Sequence, residues 1–128
     1  VTAKEEGVYD LVIVGGGPAG LAAGIYASRA RLSAVLVERG LAGGYLTMTD
    51  SIENYPGFPE AAGGMDLASA MEAQARRFGL AHARDTIVKA EHDPAGFLLL
   101  GEEAEYRARA VIAASGAELG RIGVPGEA

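Results

Sequence analysis

The chain has 128 residues, 19 of them glycine, no cysteine, and a net charge of −6. A glycine share about twice the usual, without a G-X-Y period and with 49% hydrophobic residues, excludes collagen and intrinsic disorder. The missing cysteines exclude disulfides, thiol nucleophiles, Cys-ligated metals and a dithiol redox pair within these residues, and they fit a reducing cytoplasm.

Residues 1–8 read as a flexible lead-in, and residues 9–128 as one domain. Residues 9–14 form a short apolar, β-branched run of the kind that strands buried on both faces require. Residues 18–30 follow a glycine turn with helical spacing of Leu21, Ile25 and Tyr26, and residues 33–37 (S-A-V-L-V) are a second buried strand ending at Glu38. Strand, turn, helix and strand make a βαβ unit with a right-handed crossover. The uncharged stretch 11–28 spans 18 residues, but Gly15, Gly16, Gly17 and Pro18 would break a membrane helix at its middle. The expectation is a chain without a membrane span.

Residues 39–64 carry six glycines and two prolines and read as a long functional loop. Helical periodicity returns over 65–78, with Asp66 near its start, Arg76 and Arg77 in the last turn, and Gly79 as its stop. His82 and His92 lack a third ligand at metal-binding spacing and read as surface or half-buried side chains. Residues 86–90 and 97–100 flank the turn D-P-A-G and predict a hairpin, 106–109 a third antiparallel strand, and 110–114 another buried strand. Glu102, Glu103 and Glu105 read as a solvated hairpin edge, and with no basic run nucleic acid is a poor partner.

The turn G-G-G-P-A-G at 15–20 satisfies G-x-G-x-x-G. It follows a strand, opens a helix, and has an acidic residue, Glu38, 18 positions after Gly20. That context turns a weak pattern into a dinucleotide-binding one. Gly15 permits the tight turn, Gly17 lets backbone approach a pyrophosphate, and Gly20 lets helix and sheet pack closely. Glu38 can accept hydrogen bonds from a ribose diol and would repel a 2′-phosphate. These residues alone leave open whether the ligand is FAD or NAD, and a glycine turn without any ligand remains the bland alternative.

Five stretches, the glycine turn among them, carry a family resemblance: Y-D-L-V-I-V-G-G-G-P-A-G-L-A-A (9–23), G-G-Y-L (43–46), I-E-N-Y-P-G-F-P (52–59), A-A-S-G-A (113–117) and G-V-P-G-E (123–127). In this order they resemble the N-terminal FAD segment of bacterial thioredoxin reductases, among the two-dinucleotide-fold flavoproteins of the pyridine nucleotide-disulfide oxidoreductase class. The resemblance implies a Rossmann-like α/β FAD-binding domain, with a parallel sheet and a small antiparallel β-meander insertion. By the same resemblance, Gly15, Gly17, Pro18, Ala19 and Gly20 hold the pyrophosphate of FAD. Glu38 holds the adenosine ribose, with Arg39 beside it. Gly43, Gly44, Tyr45, Leu46 and Asn54 lie along flavin and ribityl chain, backbone near Val88 meets adenine, and Ala114, Ser115 and Gly116 close over the cofactor. Tyr55 and Phe58 read as packing residues of their loop.

The sequence departs from the family pattern at Tyr45, where Gln is usual, and at Arg31, where a helix-ending glycine is usual. The family's redox disulfide, NADPH domain and C-terminal FAD piece have no counterpart in these residues. The expectation is therefore an incomplete FAD domain with weak or absent retention of the cofactor unless a further segment completes the site, unable alone to carry electrons from NADPH to a disulfide. A homodimer or a companion chain could complete it. No residue here reads as a general acid, base or nucleophile. Two alternatives belong to other classes: a non-catalytic dinucleotide-binding module or remnant, and an NAD-binding dehydrogenase half.

Overall fold

The computed structural model describes residues 7–118 and 120–126, so residues 1–6 of the expected lead-in lie outside the described residues. Strand β1 (Val8–Val14) leads through the glycine turn into helix α1 (Pro18–Arg29) and strand β2 (Ala34–Glu38). A short 3-10 helix (Gly44–Met48) and helix α2 (Gly64–Arg77) precede strands β3 (Ala81–Arg84), β4 (Ile87–Asp93), β5 (Gly96–Gly101) and β6 (Glu105–Ala113). All six strands belong to one sheet in the order β3-β2-β1-β6-β5-β4. Neighbours from β3 to β6 are parallel, while β5 runs antiparallel to β6 and β4 to β5. This is a Rossmann-like α/β sheet with a small antiparallel segment.

Burial on both faces explains the uninterrupted apolar runs of β1 and β2. On one face Leu11, Ile13, Ala34 and Leu36 pack beneath Leu21 and Ile25 of α1 and Leu67, Met71 and Ala75 of α2. On the other, Val12, Val35 and Val37 meet Leu99, Tyr106 and Ala108 of the antiparallel segment. Helix cover thins over β6: Ile112, aligned with the fully buried Ile13, stays 38% exposed. From β1 the chain moves to β2 on one side and returns as β6 on the other. The order therefore reverses at β1, which is where open α/β sheets bind ligands beyond their carboxyl ends.

Two expectations change. Residues 106–109 and 110–114, expected as separate strands, are one nine-residue strand. Its first half pairs with β5 at Phe97↔Ala108 through Leu100↔Glu105, and its length from Arg107 to Ala113 pairs with β1. Arg107 and Arg109 interrupt the apolar pattern without interrupting the backbone ladder. The second change is β3, an edge strand pairing Ala81 to Arg84 with Val35 to Glu38, where the sequence A-H-A-R carries little strand signal. Within the loop 39–64, an isolated bridge Ile52↔Ala62 closes the segment onto the core.

Both helices end in the same hydrogen-bonded motif with different chemistry at its left-handed position. After α2, the Gly79 N–H donates to the Arg76 carbonyl (2.9 Å) and the Leu80 N–H to the Ala75 carbonyl (3.2 Å), with Gly79 at φ +85°. After α1, the Arg31 N–H donates to Ser28 (2.9 Å) and the Leu32 N–H to Ala27 (3.1 Å), with Arg31 at φ +60°. Arg31 is the one non-glycine residue with positive φ among the described residues. A side chain there costs about 1 kcal/mol, which glycine avoids apart from its greater unfolded entropy. Arg31→Gly is therefore expected to raise stability by about 0.5–1 kcal/mol, read as a higher urea midpoint at unchanged slope. An unchanged or lower midpoint contradicts the strain.

Candidate functional site

The turn from β1 into α1 is packed so closely that side chains are excluded from it. A methyl group on Gly20 would collide with the Gly15 carbonyl, and one on Gly15 (φ +105°) with the Ala114 carbonyl at the end of β6. The Gly15 N–H donates to the Val37 carbonyl (2.9 Å), and the Ala114 N–H to the Val14 carbonyl (2.8 Å). Three parallel strand ends are thus drawn together beneath the start of α1. Gly17 caps that helix with Pro18 at its start. The flank of Gly17 is open: a methyl there would find nothing nearer than the Gly44 Cα at 3.9 Å. The first-turn amides of α1, which have no partner within the helix, and the positive end of its dipole lie at this opening.

Glu38, at the end of β2, folds its carboxylate back over the turn. One oxygen accepts the Gly16 N–H at 2.6 Å, the other the Gly40 N–H at 2.8 Å. Two adjoining cavities of about 260 and 470 Å³ share Gly15, Glu38, Arg39 and residues 115–118 as a common wall. The smaller runs toward Asp85, Thr86 and Ile87, and the larger toward Gly17, Pro18, Ala19, Gly44, Tyr45 and Met48. Together they make a slot across the carboxyl ends of β1, β2 and β6. An exposed Arg39–Glu118 ion pair (3.1 Å) lies on the shared wall, where solvent leaves it little energy.

A sequence model of the pyridine nucleotide-disulphide oxidoreductase family matches residues 9–128. The chain belongs to that family. Over 124 residues it is 45% identical to the thioredoxin reductase of Bacillus subtilis, covering 97% of this chain and 39% of that protein. The crystal structure of Lactococcus lactis thioredoxin reductase superposes with a TM-score of 0.89 at 34% identity, over 93% of this chain and 39% of the other. Streptococcus pyogenes thioredoxin reductase gives 0.88 at 38% identity, over 95% and 40%. The chain thus spans about two-fifths of the length of these relatives and is homologous to their dinucleotide-binding portion.

In this family member the slot gathers Gly15, Gly17, Pro18, Ala19, Glu38, Arg39, Gly44, Tyr45, Ala114, Ser115 and Gly116, all legible in the sequence. Gly20 lies buried beneath it, and Gly43 is buried against Ala68, its N–H donating to the Gly16 carbonyl (2.7 Å). Leu46 packs on the core, Asn54 is exposed outside the lining, and Val88 points away at 62% exposure. Its neighbours Thr86 and Ile87 take the wall instead. Tyr55 and Phe58 pack edge to face (6.0 Å, 64°), with Tyr55 against the core. Among the described residues no group of His, Cys, Asp and Glu could hold a metal, and no helix is long and apolar enough to cross a membrane.

Asp85 is the residue the sequence did not reveal. It is the one buried polar or charged residue among the described residues. One carboxylate oxygen accepts the Thr86 N–H (2.7 Å) and the Glu103 N–H (3.1 Å). The other accepts the Ala104 N–H (3.1 Å) and the Tyr106 hydroxyl (3.0 Å). Burial alone would raise its pKa, but these donors outweigh burial and hold it below the ordinary 3.8. Burial and the Asp85 carboxylate push the Tyr106 phenol up to about 12.

The two shifts act at opposite ends of the pH scale. A depressed Asp85 contributes stability above pH ~4 that is lost as pH falls through its folded value. A raised Tyr106 contributes below pH ~10, and that contribution disappears as pH rises through about 12. Tyr106→Phe removes one donor to Asp85 and the phenol itself. In urea denaturation across pH, the variant should lose stability at a higher acid pH than the parent and lack its share of the alkaline loss. Identical difference curves in parent and variant contradict this coupling.

Proposed function

We infer that the chain holds FAD across the carboxyl ends of β1, β2 and β6, as the flavin-holding part of a thioredoxin-reductase-like oxidoreductase. The observation carrying this reading is the slot itself: Glu38 stands on the wall that two adjoining cavities share, and the open start of α1 lines the larger of them. The residues fit the cofactor. The first-turn amides that follow Pro18 at the open α1 N-terminus suit a pyrophosphate, while those of Gly15 and Gly16 already serve Val37 and Glu38. The Glu38 carboxylate, with capacity for about four hydrogen bonds and two made, has acceptor sites left for a ribose diol. The Thr86–Ile87 wall takes adenine, and Gly44 and Tyr45 flank the flavin end, with Ala114, Ser115 and Gly116 opposite.

FAD, when bound, supplies hydride and electron transfer, and the protein supplies binding, orientation and electrostatics. This chain has no cysteine, so a dithiol acceptor must come from another segment or a companion chain. The same reading makes NADPH the electron donor of the whole protein and a disulfide its acceptor. A non-catalytic module would share the slot but would not pass electrons from the bound flavin.

The test is a flavin absorbance titration of the purified chain, with Glu38→Gln alongside. FAD is expected to bind, to raise the melting temperature, and to compete better than NAD for the slot. Glu38→Gln should weaken it by about tenfold, the loss of a charge-assisted hydrogen bond. Absent FAD binding, or tighter binding of NAD, overturns the reading.

A further inference from the structure

We propose that Asp85 is a positioning residue for the adenine end of the slot, holding Thr86 and Ile87 at the cavity wall and tying them to Glu38. The proposal rests on the dinucleotide reading above and adds which half of the ligand the residue governs. Four donors converge on the Asp85 carboxylate. They come from the following residue, the β5–β6 turn and β6, separated from Asp85 by 1, 18, 19 and 21 positions in sequence. Its own N–H donates to the Glu38 carbonyl (3.2 Å), so the residue that follows β3 is bonded to the residue that ends β2.

The β5–β6 turn is shaped around this charge. A methyl on Gly101 would collide with the Asp85 carboxylate. The Gly101 N–H donates to the Ala104 carbonyl (2.8 Å), and the Glu102 N–H to the Thr86 carbonyl (3.1 Å). Thr86 is therefore held from both its amide, by Asp85, and its carbonyl, by the turn. Asp85 faces the smaller cavity together with Thr86, Ile87 and Glu38 and does not line the larger one. A ligand group seated in the smaller cavity meets a wall whose position depends on one carboxylate. An amide in its place would set an NH2 against backbone N–H donors. That leaves buried donors unsatisfied and lets the wall shift.

The experiment compares the chain, Asp85→Asn and Tyr106→Phe, each verified folded by urea denaturation at the working temperature. It measures binding of FAD and of ADP, which carries adenosine and diphosphate without flavin. Asp85→Asn should weaken FAD and ADP by the same factor, about tenfold, because the loss lies wholly in the adenine half. Tyr106→Phe, keeping the charge and losing one donor, should weaken both by a smaller common factor. It supplies the answer if Asp85→Asn does not fold. Unchanged affinities overturn the proposal, and so does a loss markedly larger for FAD than for ADP, which signals a general loosening of the slot. A parent chain that binds neither ligand overturns the dinucleotide reading itself, and this proposal with it.

Discussion

The contact between the start of α1 and the end of β1 sets the terms for the rest of the molecule. Helix and strand approach until the Gly20 Cα flank lies against the Gly15 carbonyl, with no room for a methyl group. That approach is possible only without side chains, and it points the helix N-terminus at the carboxyl edge of the sheet. The neighbouring strands conform to it. The carbonyl of Val37 in β2 accepts the Gly15 amide, and Ala114 beyond β6 lies against the other side of the turn. The reversal of strand order at β1 then places the turn where an open α/β sheet leaves a crevice.

Charge completes what backbone geometry begins. Glu38 adds a carboxylate to a surface otherwise rich in amide donors, and its two short bonds to Gly16 and Gly40 fix it before any ligand arrives. A preorganised acceptor beside a positive helix end favours a ligand with both hydroxyls and a diphosphate. At the far end of the slot, a second carboxylate does different work. Asp85 is buried and fully used by protein donors, so it offers nothing to a ligand directly and acts by placing the wall.

Much of this was legible in the sequence because it depends on local pattern. β1, α1, β2, α2 and the hairpin follow from apolar runs, helical spacing and turn residues, and the motif at 15–20 with Glu38 locates one side of the slot. What escaped depends on partners distant in the chain. β3 exists because β2 offers it an edge, not because A-H-A-R favours a strand. β6 reads as two pieces because Arg107 and Arg109 sit where the strand leaves one neighbour for another. Asp85 resembles any loop aspartate until three amides and a phenol, most of them some 20 residues away, converge on it. The family resemblance carried adenine contact to backbone near Val88, and the cavity wall there is lined by the two residues before it, Thr86 and Ile87, with the Val88 side chain exposed.

The central claim is that one continuous slot above β1 takes the whole dinucleotide. Amide chemical shifts in a two-dimensional NMR spectrum of the labelled chain, recorded before and after FAD, test it directly. The account predicts that the large shifts fall on Gly15, Gly16, Gly17, Ala19, Gly20, Glu38, Gly44, Thr86, Ile87 and Gly116, at both ends of the slot at once. Shifts confined to the aromatic groove between α1 and α2, lined by Tyr26, Phe58 and Phe78, would contradict it.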